Sequence, residues 1–339
     1  MRLGLIGLGR IGAFHAATLS ALPNVTELVV YDAIPALTAS VVSQLGATPA
    51  RSLQELVAQG IDGVVIAAAT DAHSELILAA LAMNVPVFCE KPVTKDPADS
   101  AEVLRASQAS SAPVQIGYPR RFDPAFLAAR TAVENGELGW LNTVRSTTLD
   151  PAPPPPGYIR ASGGIFRDCS VHDFDAIRFV TGQEVTEVYA VGANQGDPLF
   201  AELGDVDTAA IVLTLDSGTL AVVSNTRYNP RGYDVRLELH GSKDSVAAGI
   251  DEQWPVRSTE PGTTFPAGEP HRFFMDRLAY AFRAELQAFT EVAAGTRPSP
   301  CTVADAVEVG WIAEAAALSQ HEHRSVAMTE VRAAERVSP

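Results

Sequence analysis

Gly7-Leu8-Gly9-Arg10-Ile11-Gly12 lies between an apolar run at Leu3–Ile6 and an amphipathic stretch at Ala13–Ala21. A G-x-G-x-x-G loop in that setting reads as the tight turn from a buried strand into a helix. The first ~120 residues keep the same rhythm. Leu3–Ile6, Glu27–Tyr31, Gly63–Ala68 and Val85–Cys89 read as strands, and Ala13–Ala21, Ala36–Leu45, Leu53–Gln59, Ser74–Met83 and Ala98–Ser107 as helices. Short, wholly apolar strands separated by helices predict a parallel sheet covered on both faces, the doubly wound α/β pattern.

The character changes after Gly117. Asp150-Pro-Ala-Pro-Pro-Pro-Pro-Gly157 is neither helix nor interior strand, and reads as an extended loop near a site. Gly163–Thr181 reads as an approach loop and a helix. Strands dominate from Val185 to Val246, with Leu213–Leu215 and Thr219–Val223 joined by the hairpin signal Asp216-Ser217-Gly218. Helices at about Phe273–Ala294 and Thr302–Ser319 close the pattern, and the tail Glu330–Pro339 is polar and expected to fray. The 339 residues suit two domains, expected at 1–119 and 120–339. The expected fold is α/β: a Rossmann domain, then an α+β domain with a large, open, mostly antiparallel sheet.

A net charge of −15 disfavours nucleic acid and anionic membrane as partners. No run of about 18 apolar residues is present, and the N-terminal residues read as a first strand rather than a signal peptide. Cys89, Cys169 and Cys301 are far apart, with no Cys-x-x-Cys spacing, which fits a reducing cytoplasm. No grouping has good metal-ligand spacing, so no metal is expected.

The glycine loop predicts a dinucleotide site. Gly7 permits the turn, Gly9 leaves room for a pyrophosphate, and Gly12 lets helix and strand pack closely. Asp32 ends the second strand, 20 residues beyond Gly12, where a carboxylate accepts from ribose hydroxyls and repels a 2′-phosphate. NAD is therefore expected over NADP. The expected cofactor contacts are Gly7, Gly9, Arg10, Ile11, Gly12, Asp32, Ala67, Thr70, His73, Glu90 and Lys91. His73 is equally readable as a cap on the helix that follows it.

Two further segments carry chemistry. Cys89-Glu90-Lys91-Pro92-Val93 follows a buried strand, which places Lys91 at the carboxyl edge of the sheet, where ligands bind in such folds. Gly163-Gly164-Ile165-Phe166-Arg167-Asp168-Cys169-Ser170-Val171-His172-Asp173-Phe174-Asp175 sets Asp168 and His172 four apart, on one face of a helix. Gly163 and Gly164 would let backbone approach a ligand.

Together, the glycine loop, Glu90-Lys91-Pro92 and Gly163-Gly164…Asp168-x-x-x-His172-Asp173 resemble the glucose–fructose oxidoreductase/inositol dehydrogenase/rhizopine catabolism (Gfo/Idh/MocA) family. The motifs occur in order and span almost the whole chain. Gly117-Tyr118-Pro119-Arg120-Arg121-Phe122-Asp123 and Arg231-Gly232-Tyr233-Asp234 are most similar to its inositol 2-dehydrogenase branch. The resemblance implies a catalytic set of Lys91, Asp168 and His172, and substrate contacts from these three with Arg120, Asp175 and Tyr233. Asp175 is also readable as an ordinary helix carboxylate, and Tyr233 as a sheet-face aromatic. The implied activity is NAD-dependent oxidation of a secondary hydroxyl of a cyclic polyol to a ketone, in a homodimer or homotetramer. Histidine, with an ordinary pKa near 6.5, suits the proton transfer. A pyranose dehydrogenase or ketoreductase and a non-catalytic NAD sensor are the alternative readings.

Overall fold

A computed structural model describes residues 1–335. The chain forms two compact units. The first comprises Met1–Pro119 and Phe282–Glu308; the second comprises Arg120–Ala281 and the chain from Val309 onward. The second unit is thus not the continuous segment expected from residue 120. Leu286, Phe289 and Val292 carry the apolar stripe of helix Ala279–Ala293 into the first unit, against Leu3, Leu5, Leu8 and Phe88.

In the first unit, β1 (Arg2–Ile6), β2 (Glu27–Tyr31), β3 (Thr48–Pro49), β4 (Gly63–Ile66), β5 (Val87–Glu90) and β6 (Val114–Gly117) form a parallel sheet. Its order is β3-β2-β1-β4-β5-β6. β4 is buried from end to end and β1 from Leu3 onward, as their apolar composition requires. The order reverses between β1 and β4, so the glycine loop after β1 and Ala67–Thr70 after β4 flank the switch point, where doubly wound sheets bind ligands.

The second unit holds β7 (Leu141–Leu149), β8 (Val185–Ala193), β9 (Thr208–Leu215), β10 (Leu220–Thr226), β11 (Asp234–Gly241), β12 (Ser245–Ala248) and β13 (Val326–Ala327). Their order is β12-β11-β7-β10-β9-β8-β13, antiparallel except for the parallel pair β7–β10. The hairpin expected around Asp216–Gly218 joins β9 to β10. Side chains alternate: Ala221, Val223 and Asn225 are buried, while Leu220, Val222 and Ser224 face out. The helix Val171–Thr181 covers β7. The other face is open, and Tyr189, Val191, Val212, Leu220 and Val222 lie exposed on it.

The expected helix at Phe273–Ala294 is broken at Leu278 into Phe274–Arg277 and Ala279–Ala293. Residues 330–335 of the expected frayed tail belong to the helix Met328–Glu335, and 336–339 lie outside the described residues. Among the described residues, no helix is long and apolar enough to cross a membrane.

Candidate active site

In the first unit the glycine loop has the shape its sequence demands. Gly7 has φ +87°, and a Cβ there would lie 2.4 Å from Ala68 N. A Cβ on Gly12 would lie 1.9 Å from Gly7 O. Small residues at Ala67 and Ala68 press on the turn, so the space below it is filled by protein. Gly9 is different: a Cβ there meets nothing within 4 Å. It is the N-cap of helix Arg10–Ser20 and no side chain caps the free N–H groups. An open cradle over a helix N-terminus fits a pyrophosphate. Arg10 is exposed and Ile11 half-buried at its rim.

Asp32 is half-buried at the end of β2. Its Oδ2 accepts from Leu8 N (2.6 Å) and its Oδ1 from Ile34 N (2.7 Å). The carboxylate therefore ties the end of the second strand back to the glycine loop. These residues together fit NAD.

After β4, Thr70 begins a single 3₁₀ turn. His73 is buried, with Nδ1 2.7 Å from Pro92 O and Nε2 3.1 Å from Ala68 O. Its ring lies between two backbone carbonyls and caps no helix N–H. It ties the end of β4 to the Glu90-Lys91-Pro92 turn. The Lys91–Pro92 peptide is cis, and Lys91 is half-buried just after β5. Glu90 Oε1 pairs with His15 Nε2 at 2.6 Å. His15 is fully buried on helix Arg10–Ser20, edge-on to Phe88. The sequence reading missed His15. Its signal was local: it shares the buried helical face of Gly12 and Leu19.

In the second unit, the segment bearing Asp168 starts as a π turn, Phe166–Ser170, and continues as the helix Val171–Thr181. Single π turns are rare in helices and frequent at functional sites. Gly163 and Gly164 have φ +79° and +91°, which only glycine adopts freely. The close neighbour at Gly164 is the Asp205 carboxylate, which also accepts from Ile165 N at 2.9 Å. Positive φ at both positions and the Asp205 contact make this pair a tight turn.

Asp168 and His172 are both half-buried. Asp168 Oδ1 accepts from the Tyr158 hydroxyl (2.7 Å) and Oδ2 from Arg227 Nη2 (2.8 Å). Tyr158 sits on the short helix Pro156–Ala161 at the end of the proline run, which brings that run to Asp168. Neither Tyr158 nor Arg227 was anticipated. A basic residue directly after a strand was the only available hint of Arg227.

Two expected substrate contacts have other work. Arg120 is 2% exposed; its Nη1 donates to Asp173 Oδ1 (2.9 Å) and its Nη2 to Thr148 Oγ1 (2.6 Å). Asp173 also accepts from Ser146, Thr148 and Asn225, in a fully buried network that fixes the helix of His172 to β7 and β10. Asp175 is fully buried and takes a two-pronged ion pair from Arg121. Both Arg120 and Asp175 are corrected to core pairing, because their charges are consumed inside. Tyr233 is buried beside Arg120, and burial pushes its phenol pKa well up. Cys89 and Cys169 are buried, and burial pushes both thiols up, so they remain protonated and inert.

Residues 1–118 match the sequence model described as the oxidoreductase family, NAD-binding Rossmann fold, and residues 126–247 match the GFO/IDH/MocA C-terminal domain. Inositol 2-dehydrogenase of Rhizobium meliloti is 37% identical over 333 residues, 97% of this chain and 99% of that protein. The crystal structure of a myo-inositol dehydrogenase from Corynebacterium glutamicum matches with a TM-score of 0.86 at 36% identity, covering 96% of this chain and 98% of that one. The scyllo-inositol dehydrogenase of Lactobacillus casei, solved with bound NAD(H) and scyllo-inositol, matches at 0.85 with 27% identity, over 97% and 99% of the two chains.

Proposed function

From a chain that belongs to the Gfo/Idh/MocA oxidoreductase family, we propose an NAD-dependent dehydrogenase that oxidises a secondary hydroxyl of an inositol-type cyclic polyol to a ketone. The observation that carries this reading is the likeness to an inositol 2-dehydrogenase over 97% of the chain, beside the Lys91, Asp168 and His172 motifs of the sequence. Gly7, Gly9, Arg10, Ile11, Gly12, Asp32, Ala67, Thr70, Glu90 and Lys91 are assigned to the cofactor. Bound NAD supplies the hydride acceptor.

The rest belongs to the chain's own side chains. His172 takes the hydroxyl proton during oxidation and returns it during reduction. Lys91 stabilises the developing alkoxide charge. Asp168 accepts from a substrate hydroxyl, and its ionised form is supported by the Arg227 hydrogen bond. Tyr233 is the remaining substrate contact. Three buried free cysteines suit a reducing compartment, and we assign the protein to the cytoplasm on that ground. Five exposed apolar side chains on the open face of the second sheet favour a homodimer or homotetramer formed through that face.

NADH formation across inositols, aldoses and glycosides tests the substrate, with inositols expected to turn over fastest. Lys91→Ala and His172→Ala are expected to lose roughly 10²–10⁴-fold in turnover while still binding NAD. Undiminished oxidation by His172→Ala removes this mechanism. Equal turnover with NADP removes the role given to Asp32.

A further inference from the structure

β7 and β10 are the parallel neighbours of the second sheet, with Leu149 opposite Thr226. The residues that follow them, Asp150 and Arg227, therefore emerge at one edge. Asp150 N donates to Thr226 O at 2.9 Å, and Arg227 N to Asp207 O at 2.8 Å, which pins both backbones. The Arg227 side chain is 5% exposed. Its Nη1 donates to Asp150 Oδ2 (2.7 Å) and its Nη2 to Asp168 Oδ2 (2.8 Å), while its buried Nε has no hydrogen-bond partner. One guanidinium thus spans two carboxylates from different elements.

We infer that Arg227 is a positioning residue that holds Asp150 and Asp168 side by side as two ionised carboxylates, so that Asp168 acts only as a hydrogen-bond acceptor. Two partly buried carboxylates without an intervening cation repel each other, so one of them holds its proton to higher pH. Arginine suits the task because its planar fork reaches both acceptors and does not deprotonate. With Arg227 in place, Tyr158 completes Asp168 from the other side.

Groups from several elements gather around Asp168. Tyr158 comes from the helix at the end of the proline run, Asp150 from the end of β7 and Arg227 from the end of β10. Cys169, His172 and Asp173 share its own helical segment, with Arg120 paired to Asp173 and Tyr233 near Asp150. Burial pushes the Cys169 thiol and the Tyr233 phenol up, so both stay neutral. The Arg120–Asp173 pair balances itself. Arg227 is a cation that Asp150 and Asp168 share, one carboxylate on each terminal nitrogen.

This inference rests on the assignment of Asp168 to the reacting set, and the test separates the two. Carboxyl carbons of 13C-labelled aspartate are followed by NMR against pH in wild type, Arg227→Gln, Arg227→Gln/Asp150→Asn and Arg227→Gln/Asp168→Asn. In Arg227→Gln a carboxyl is expected to titrate about 1–3 units higher than in wild type, and this signal vanishes in both double variants. Turnover, reduced in Arg227→Gln, is expected to recover partly when Asp150→Asn is added, because the repulsion is gone; a merely structural arginine gives no such rescue. Aspartate titrations identical to wild type in Arg227→Gln overturn the inference. Full turnover in Asp168→Asn overturns the role of Asp168 instead and leaves the carboxylate clamp standing. If the glutamine variant does not fold, Arg227→Lys keeps the charge and loses the fork. Titration then stays as in wild type while kcat falls at least tenfold with an unchanged KM for NAD, and an unchanged kcat overturns the inference.

Discussion

Replacing Gly9 by alanine separates the fold of the glycine loop from its ligand. Gly9 has φ −64° and ψ −165°, extended backbone that alanine adopts without strain. Its new Cβ would meet no protein atom within 4 Å. The variant should therefore fold normally, and the stiffer unfolded chain adds about 0.4–1 kcal/mol of stability. The methyl group instead occupies the cradle above the helix N-terminus, where a pyrophosphate must sit. Losing one hydrogen bond to a charged group costs about 1.5–3 kcal/mol. At about 1.4 kcal/mol per tenfold, the Kd for NAD rises roughly 10- to 100-fold. Gly12→Ala is the opposite control: its Cβ would lie 1.9 Å from Gly7 O, so the turn itself has to open. Overpacking of that kind costs about 1–3 kcal/mol or more, and thermal melting without NAD reads it directly. Calorimetric titration with NAD measures the binding arm. If Gly9→Ala melts like wild type and binds NAD equally well, the pyrophosphate does not cross Gly9.

Asp173→Asn should destabilise the protein by about 3–5 kcal/mol, since it leaves the buried Arg120 charge without its carboxylate; a urea midpoint equal to wild type would show that the network carries no such energy. Cys89, Cys169 and Cys301 are all buried, and the first two thiols are pushed up by burial. A chromogenic disulfide reagent at pH 8 should therefore label no thiol in the folded protein and three in guanidinium, and fast labelling before unfolding would contradict the buried, protonated state.

What could be read in advance followed the range of the interactions. The glycine loop, its flanking strand and helix and Asp32 involve neighbours or a familiar strand-to-strand spacing, so their sequence pattern suffices. The hairpin at Asp216–Gly218 is equally local. Helix starts drifted by a few residues: Gly9 caps a helix beginning at Arg10 rather than Ala13. Tyr158 and Arg227 bond Asp168 from 10 residues back and 59 residues on, and strand pairing in the second sheet brings Arg227 home. Arg120 and Asp175 went astray for a related reason. Charged residues near a site look like ligand contacts until their buried partners, Asp173 and Arg121, are visible. No periodicity revealed that Phe282–Glu308 belongs to the first unit, because an apolar helix face does not name the sheet it will cover.

That return of Phe282–Glu308 has a consequence for biosynthesis. A ribosome that has released only the first ~120 residues presents a dinucleotide-binding sheet still lacking Leu286, Phe289 and Val292. At translation rates of about 5–20 residues per second, this half-clad surface waits roughly 10–40 seconds for its closing helix. A fragment cut at the apparent boundary would wait indefinitely, so expression of residues 1–119 alone should yield aggregate, whereas grafting the late helix onto it offers a route to a soluble miniature.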